Sequence, residues 1–353
     1  MPRLNVLVHG LGSVGGVLAG ALADGGAQVR AFARGPHAEA IRAAGGLRLR
    51  DARLRDIGPD DARPAEPVIT EPVITERVIP VELLAPDADL HSVDLVIIAV
   101  KTTALADVAR SLTGRLGDDA VVMSATNGIP WWFFDGLAAA PDATEVPSLD
   151  PAGMRAVAPA DRVLGSVVHF AASRPEAGVV HHNAGNELIL GSPAPRARTS
   201  EVADRVAAAF AAGGLTVRRS DTIQHDVWFK LWGNLTMNPL SAVTGTSTDR
   251  VLADPQLLDF ASRCMREMQR VGERLGLAID MAPDDRHAIT RSLGAMRPSM
   301  LQDAEAGRPI ELDALVGVVT EIARAVGEPT PYIDGLLGLT RVFARAHHLY
   351  PDV

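Results

Sequence analysis

Residues 4–33 read LNVLVHGLGSVGGVLAGALADGGAQVRAFA, and the fold turns on how this stretch is read. Leu4 to Val8 form a short apolar run without polar alternation, as a buried parallel strand does. Gly10-x-Gly12-x-x-Gly15 follows, and VLAGALADGG then gives a helical pattern that ends in glycines. A second apolar run, Gln28 to Ala33, completes a β-α-β unit. In such a unit the first glycine permits the tight turn, the second lets backbone approach a pyrophosphate, and the third lets helix and strand pack closely. The helix N-terminus adds free N–H donors and the positive end of a dipole. Gly10, Leu11, Gly12, Ser13, Val14 and Gly15 are therefore the expected cradle of a dinucleotide. A GxGxxG alone is a weak signal; its place between a strand and a helix makes it informative.

Downstream, the second strand ends in AFARGPH. A site for NAD places Asp or Glu about 20 residues after the glycines, to bind the ribose 2′-OH. Here Arg34 stands there, with His37 close by and no acid before Glu39. A guanidinium suits a 2′-phosphate, so NADP(H) is the expected cofactor. The next strand, VDLVIIAVKTTA from Val93, runs into Lys101, and AVVMSATNGIP from Ala120 ends at Asn127-Gly128. Parallel strands deliver such side chains to the crevice at their carboxyl ends. Lys101 is thus an expected cofactor contact, and Asn127 is placed beside the nicotinamide. Trp131, Trp132, Phe133 and Phe134 read as core packing. Residues 51–80 repeat EPVIT and are rich in proline, which points to an edge hairpin or a slack loop without chemistry. The stretch 162–191 reads as more strands; its His169, His181 and His182 have no acid or cysteine at ligand spacing, so no metal site is assigned.

After a helix at 201–213 and a strand at 215–219, Asp221-Thr222 forms a helix cap and strand signals nearly vanish. The expected division is residues 1–220, α/β and dinucleotide-binding, and 221–353, helical and substrate-binding. The first helix beyond the cap contains WFKLWGNLTMNPLSAVTG, Trp228 to Gly245. Helical spacing stacks Lys230, Asn234 and Asn238 on one face and turns Trp228, Leu231 and Leu235 to another. One ammonium beside two neutral amides suits an oxygen-rich ligand that must receive a proton, whereas an ordinary solvated face mixes Glu, Lys and Arg. Further on, Ser299 and Gln302 have capping-box spacing. Gly307 and Pro309 break that helix, and Glu311 stands near the start of the next, where the dipole favours an acid. A last helix is expected over 332–347.

The whole chain sets outer bounds. Its 353 residues suit two domains. A formal charge of −9 argues against nucleic acid as a partner. Cys264 is the single cysteine and cannot form an internal disulfide, which fits a reducing cytoplasm. No apolar run has the length of a membrane span, and MPRLNVLVHGLG reaches its glycines too soon for a secretory signal. The expectation is a cytoplasmic enzyme acting on a small molecule.

Taken together, these stretches resemble the ketopantoate reductase (2-dehydropantoate 2-reductase) family over nearly the whole chain. The features that carry the resemblance are the lysine-ended strand before a strand ending in NG, the K-x-x-x-N-x-x-x-N-P-L helix, and S-M-L-Q-D…G-R-x-I-E-L-D, in that order. The resemblance implies a Rossmann-type domain binding NADPH, then an all-α domain like that of 6-phosphogluconate dehydrogenase, with the substrate between them. It makes Lys230 the general acid and gives Asn234, Asn238 and Ser299 to the substrate. It sets Glu311 in the catalytic site beside the cofactor, with Arg34, Lys101 and Asn127 as cofactor contacts and Asn127 also near the substrate. The implied reaction is reduction of a 2-oxo acid to a 2-hydroxy acid. Departures from the family pattern are Thr248, where a further asparagine is usual, Thr126, the Trp131-Trp132 pair and the 51–80 stretch. Competing readings are a reductase of a bulkier or aromatic 2-oxo acid with a pocket shaped by Trp131–Phe134, an opine or sugar-acid dehydrogenase, and a non-catalytic NADP(H) sensor. The apolar final helices suggest a homodimer through the helical domain.

Overall fold

The computed structural model describes residues 3–52, 74–194 and 199–352. Strands β1 (Asn5–His9) and β2 (Gln28–Phe32) run parallel on either side of helix α1 (Ser13–Asp24), with Asn5 opposite Gln28. Then come α2 (Gly35–Ala43), β3 (Leu47–Asp51), β4 (Thr75–Ile79), β5 (Glu82–Leu83) and β6 (Leu95–Ile98). Helix α3 (Leu105–Leu112) leads to β7 (Val121–Ser124), a short α4 (Met154–Val157) and the long hairpin of β8 (Val163–Glu176) and β9 (Val179–Gly191). Helix α5 (Ser200–Ala212) and β10 (Thr216–Ser220) complete this half.

The ten strands among the described residues form one mixed sheet in the order β4-β3-β9-β8-β7-β6-β1-β2-β5, with β10 on β9. From β2 through β1, β6 and β7 to β8 the neighbours are parallel, and their carboxyl ends share one edge. All four residues of β6 and of β7 are buried, as expected of strands covered on both faces. β4 lies at one end of the sheet, antiparallel to β3, which agrees with the edge-hairpin reading. All of the EPVIT repeat except Ile74 and Thr75 lies outside the described residues.

Beyond β10 the described residues form only helices: α6 (Ile223–Thr244), α7 (Thr248–Ala253), α8 (Pro255–Leu275), α9 (Pro283–Ser292), α10 (Ser299–Glu305), α11 (Val318–Ala325) and α12 (Pro331–Ala346). Just before α11, residues Asp313–Gly317 form a wider π-turn. The fold is therefore a Rossmann-type α/β domain followed by an all-α domain. Helix α6 is the central pillar of the second, packing on β8, α8, α10 and α12. Its seat is Trp228, fully buried and stacked on Phe133 with ring centroids 5.9 Å apart. Gly245 ends it in the left-handed conformation, at φ 64°. A continuous apolar cluster joins Leu7 and Val122 of the sheet to α6, α8 and α11, so the two halves share a core.

One competing reading and one expected pattern need correction. The Trp131–Phe134 cluster is packed inside, as its core reading expects: Trp131 Nε1 donates to the Ala158 carbonyl and Trp132 Nε1 to Ser124 Oγ, both at 2.9 Å. It cannot shape an open substrate pocket. The Ser299–Gln302 capping box does not form, because Pro298 occupies the cap position and Gln302 Nε2 instead donates to the Arg297 carbonyl at 2.8 Å. No helix among the described residues is long and apolar enough to cross a membrane.

Candidate active site

The glycine turn after β1 shows three different demands on three residues. Gly10 has φ +104°, where L side chains are strained, and a Cβ there would lie 2.8 Å from the Ala99 carbonyl oxygen. A Cβ at Gly15 would lie 1.9 Å from the Gly10 carbonyl oxygen, so helix and turn can close only on glycine. Gly12 has no atom within 4 Å of its Cβ position. The open space at Gly12, over the first turn of α1, is what a pyrophosphate needs. It opens into a cavity of about 730 Å³ between the ends of β1 and β2 and helix α3. Arg34 lines it, largely exposed and 3.9 Å from Asp107. Arg42 and Arg174 line it too, and sequence reading missed both because they lie on α2 and the distant β8. His37 is buried at the back. The Gly178 N–H donates to its Nδ1 at 2.9 Å, so Nε2 carries the proton and donates to the Leu11 carbonyl at 2.7 Å. Burial holds its pKa below the ordinary value, which keeps this neutral tie between the glycine turn and the β8–β9 turn. The residues present fit a dinucleotide.

At the other end of the edge, β7 runs into Asn127-Gly128. Gly128 has φ +87°, and a Cβ there would lie 2.2 Å from the Ala314 carbonyl oxygen of the π-turn. The next residue, Ile129, donates its N–H to that same oxygen at 3.2 Å. Asn127 is thereby held against the helical half, and its Oδ1 accepts from Lys230 Nζ at 3.1 Å. Lys230 keeps a partial opening, yet the protein around its ammonium strips away hydration and lowers its pKa to about 8. Lys230, Asn234, Asn127 and Ser166 line a space of only about 20 Å³ in this seam, room for about one water.

Glu311 crosses the same seam, accepting the Thr102 N–H on Oε1 at 2.7 Å. Burial raises its pKa, against the lowering effects of that bond and of nearby Lys101. Glu311 also walls a cavity of about 400 Å³ with Thr102 and Tyr350. Lys101 pairs with Asp303 of α10 at 2.6 Å and donates to the Pro309 carbonyl at 3.2 Å. In this arrangement it bridges the halves and does not line the large cavity. Asn238 is buried lower on α6, and Ser299 is exposed in the first turn of α10, which packs on α6. Thr248 is fully buried and donates its N–H to the Met296 carbonyl at 3.0 Å, so it is withdrawn from any ligand. Helical spacing thus brought Lys230 and Asn234 together, but foretold neither the Asn127–Lys230 bond nor the partner of Lys101. Among the described residues no three His, Cys, Asp or Glu side chains gather as a metal site.

Comparisons with known proteins cover both halves of the chain. The family described as ketopantoate reductase PanE/ApbA matches residues 6–195, and its C-terminal family matches residues 222–344. A 2-dehydropantoate 2-reductase of Mesorhizobium japonicum is 35% identical over 97% of this chain and 98% of its own. A solved PanE/ApbA family ketopantoate reductase from Ralstonia eutropha JMP134 is 25% identical with a TM-score of 0.77, covering 98% of this chain and all of its own. At 18% identity, the ternary structure of D-mandelate dehydrogenase with NADH and anilino(oxo)acetate shares the fold, with a TM-score of 0.76 over 98% of this chain and all of its own. With a glycine turn shaped for a dinucleotide, a desolvated lysine at the seam, and these matches over both halves, the chain belongs to the ketopantoate reductase family and is a nicotinamide-dependent oxidoreductase.

Proposed function

We propose that the protein reduces a 2-oxo acid to the 2-hydroxy acid with NADPH, and that its first substrate is 2-dehydropantoate, giving pantoate in pantothenate biosynthesis. Residues 1–220 would hold the dinucleotide and 221–353 would carry the groups that meet the substrate. The observation that carries this reading is Lys230: an ammonium poorer in water than usual, oriented by Asn127 at the seam between the halves. Negative charge develops on the ketone oxygen as hydride arrives, and an ammonium aimed at that oxygen stabilises it and then supplies the proton. A pKa near 8 keeps Lys230 protonated at neutral pH yet ready to release that proton. Bound NADPH would supply the hydride.

Asn127 fixes where the ammonium points. Asn234, one turn along α6, adds a neutral amide that hydrogen-bonds the substrate without cancelling the charge of Lys230. Asn238 and Ser299 would complete the substrate contacts as the seam opens for entry. Glu311, held by the Thr102 N–H, would border the nicotinamide, and Lys101 would exchange Asp303 for a cofactor phosphate. The preference for NADPH rests on Arg34, supported by Arg42 and Arg174 in the same cavity. A homodimer through the helical half would cover Leu339 and Val342 of α12, which are exposed.

The test is NADPH oxidation over a panel of 2-oxo acids, with NADH in parallel. Highest kcat/KM for 2-dehydropantoate with NADPH supports the reading. A higher value for an aromatic 2-oxo acid would replace the substrate, and dinucleotide binding without turnover of any 2-oxo acid would overturn the enzyme.

A further inference from the structure

The last residues of the chain fold back on the segment that carries Glu311. Helix α12 ends at Ala346, and His348 then takes φ 55°, the one positive φ at a non-glycine residue among the described residues. Such a conformation is costly unless neighbouring contacts hold it, and here it returns the chain to residues 310–314. Two bonds meet it there. The buried Leu349 gives its carbonyl to the Ile310 N–H at 3.0 Å. Tyr350 donates its hydroxyl to the carboxylate of Asp313, 2.8 Å from each oxygen. The tail is also pinned to α12: Arg345 Nε donates to the Pro351 carbonyl at 3.1 Å, and its guanidinium carbon lies 5.7 Å from the centre of the Tyr350 ring.

The segment gripped in this way meets the seam at two points. Glu311, next to Ile310, takes the Thr102 N–H. Asp313 opens the π-turn, and the carbonyl of the following residue, Ala314, takes the Ile129 N–H and leaves Gly128 no room for a side chain. Gly128 directly follows Asn127, whose Oδ1 accepts from Lys230. Single π-turns beside α-helices are rare and occur mostly at functional sites. We propose that Tyr350 is a positioning residue for the reaction: by holding Asp313 it fixes the π-turn, and through Ala314 it fixes Asn127 against the Lys230 ammonium. This deepens the reading given above and rests on it. Tyr350 acts through the turn and not on the substrate. Its bond to Asp313 lies at the surface, where a hydrogen bond adds little to global stability, so what it sets is position.

The experiment assays full-length wild type, Tyr350→Phe, Asp313→Ala and Asp313→Asn with NADPH and whichever acid the panel ranks first, 2-dehydropantoate on the reading above. Tyr350→Phe removes one oxygen and should lower kcat about 3- to 10-fold, with Tm and the KM for NADPH near wild type. Asp313→Ala should match it. Asp313→Asn keeps a carbonyl oxygen to accept from the Tyr350 hydroxyl and should keep most of the rate. In an Asn127→Ala background, Tyr350→Phe should cost little more, because the contact through which it acts is already gone. The same fold-loss in both backgrounds, or a kcat unchanged by Tyr350→Phe, would overturn the assignment while leaving the reductase reading intact. A wild type that reduces no 2-oxo acid would overturn both.

Discussion

Protonated Lys230 gives up hydration in the folded chain, and that loss is what brings its pKa down to about 8. A general acid must carry its proton, so wild-type kcat/KM should be flat below pH 8 and fall about tenfold per pH unit above it. A profile that stays level to pH 10 would show that another group titrates. The glycine turn offers a sharper contrast. Gly12→Ala meets no protein atom and should leave Tm unchanged while weakening dinucleotide binding by about tenfold or more. Gly15→Ala collides with the Gly10 carbonyl and should cost about 1–3 kcal/mol of stability, the usual penalty of overpacking. Thermal unfolding and cofactor fluorescence titration of the two variants check this; the same Tm loss in both would contradict it. These residues were legible in the sequence because helical period and motif spacing alone bring them together. Arg174 was not: it comes from the distant β8, and only the fold brings it to the cavity that the glycine turn opens into.

Among the elements, α6 couples the core to the site. Trp228 seats its first half against Phe133, and Lys230 and Asn234 leave the same helix toward the seam. Trp228→Ala should cost about 3–5 kcal/mol, measurable as a lower urea midpoint, and should also reduce kcat because Lys230 loses its fixed base. A variant with wild-type stability would remove the claim that this side chain seats the helix. The apolar and polar faces of α6 could be read from period 3.6. The Ser299–Gln302 pattern had correct spacing but failed, since Pro298 took the cap and the Gln302 side chain found a nearer carbonyl. Trp131 and Trp132 pack in the core as read, and what the sequence did not name is the acceptors their indole N–H groups find there, the Ala158 carbonyl and Ser124 Oγ.

At the scale of the molecule, the site is a seam between two halves joined through one core. Lys101–Asp303, Thr102–Glu311, Ile129–Ala314 and Asn127–Lys230 all cross it. Such pairs lie about 100 to 210 residues apart in sequence, and nothing local encodes them. The strand-then-helix succession, by contrast, was evident in the composition of the two halves. Cofactor choice belongs to this scale, because the three arginines of the large cavity come from Arg34 after β2, Arg42 on α2 and Arg174 on β8. Removing two of them, as Arg34→Ala with Arg174→Ala, should lower the kcat/KM ratio of NADPH over NADH by about tenfold or more, with NADH itself little affected. An unchanged ratio would place the discrimination elsewhere.

The central claim is that the Lys230 ammonium protonates the ketone oxygen, and steady-state turnover of Lys230→Ala with NADPH and 2-dehydropantoate tests it most directly. The account predicts a fall in kcat on the order of 100-fold or more with NADPH affinity preserved. A kcat near that of the wild type would contradict it.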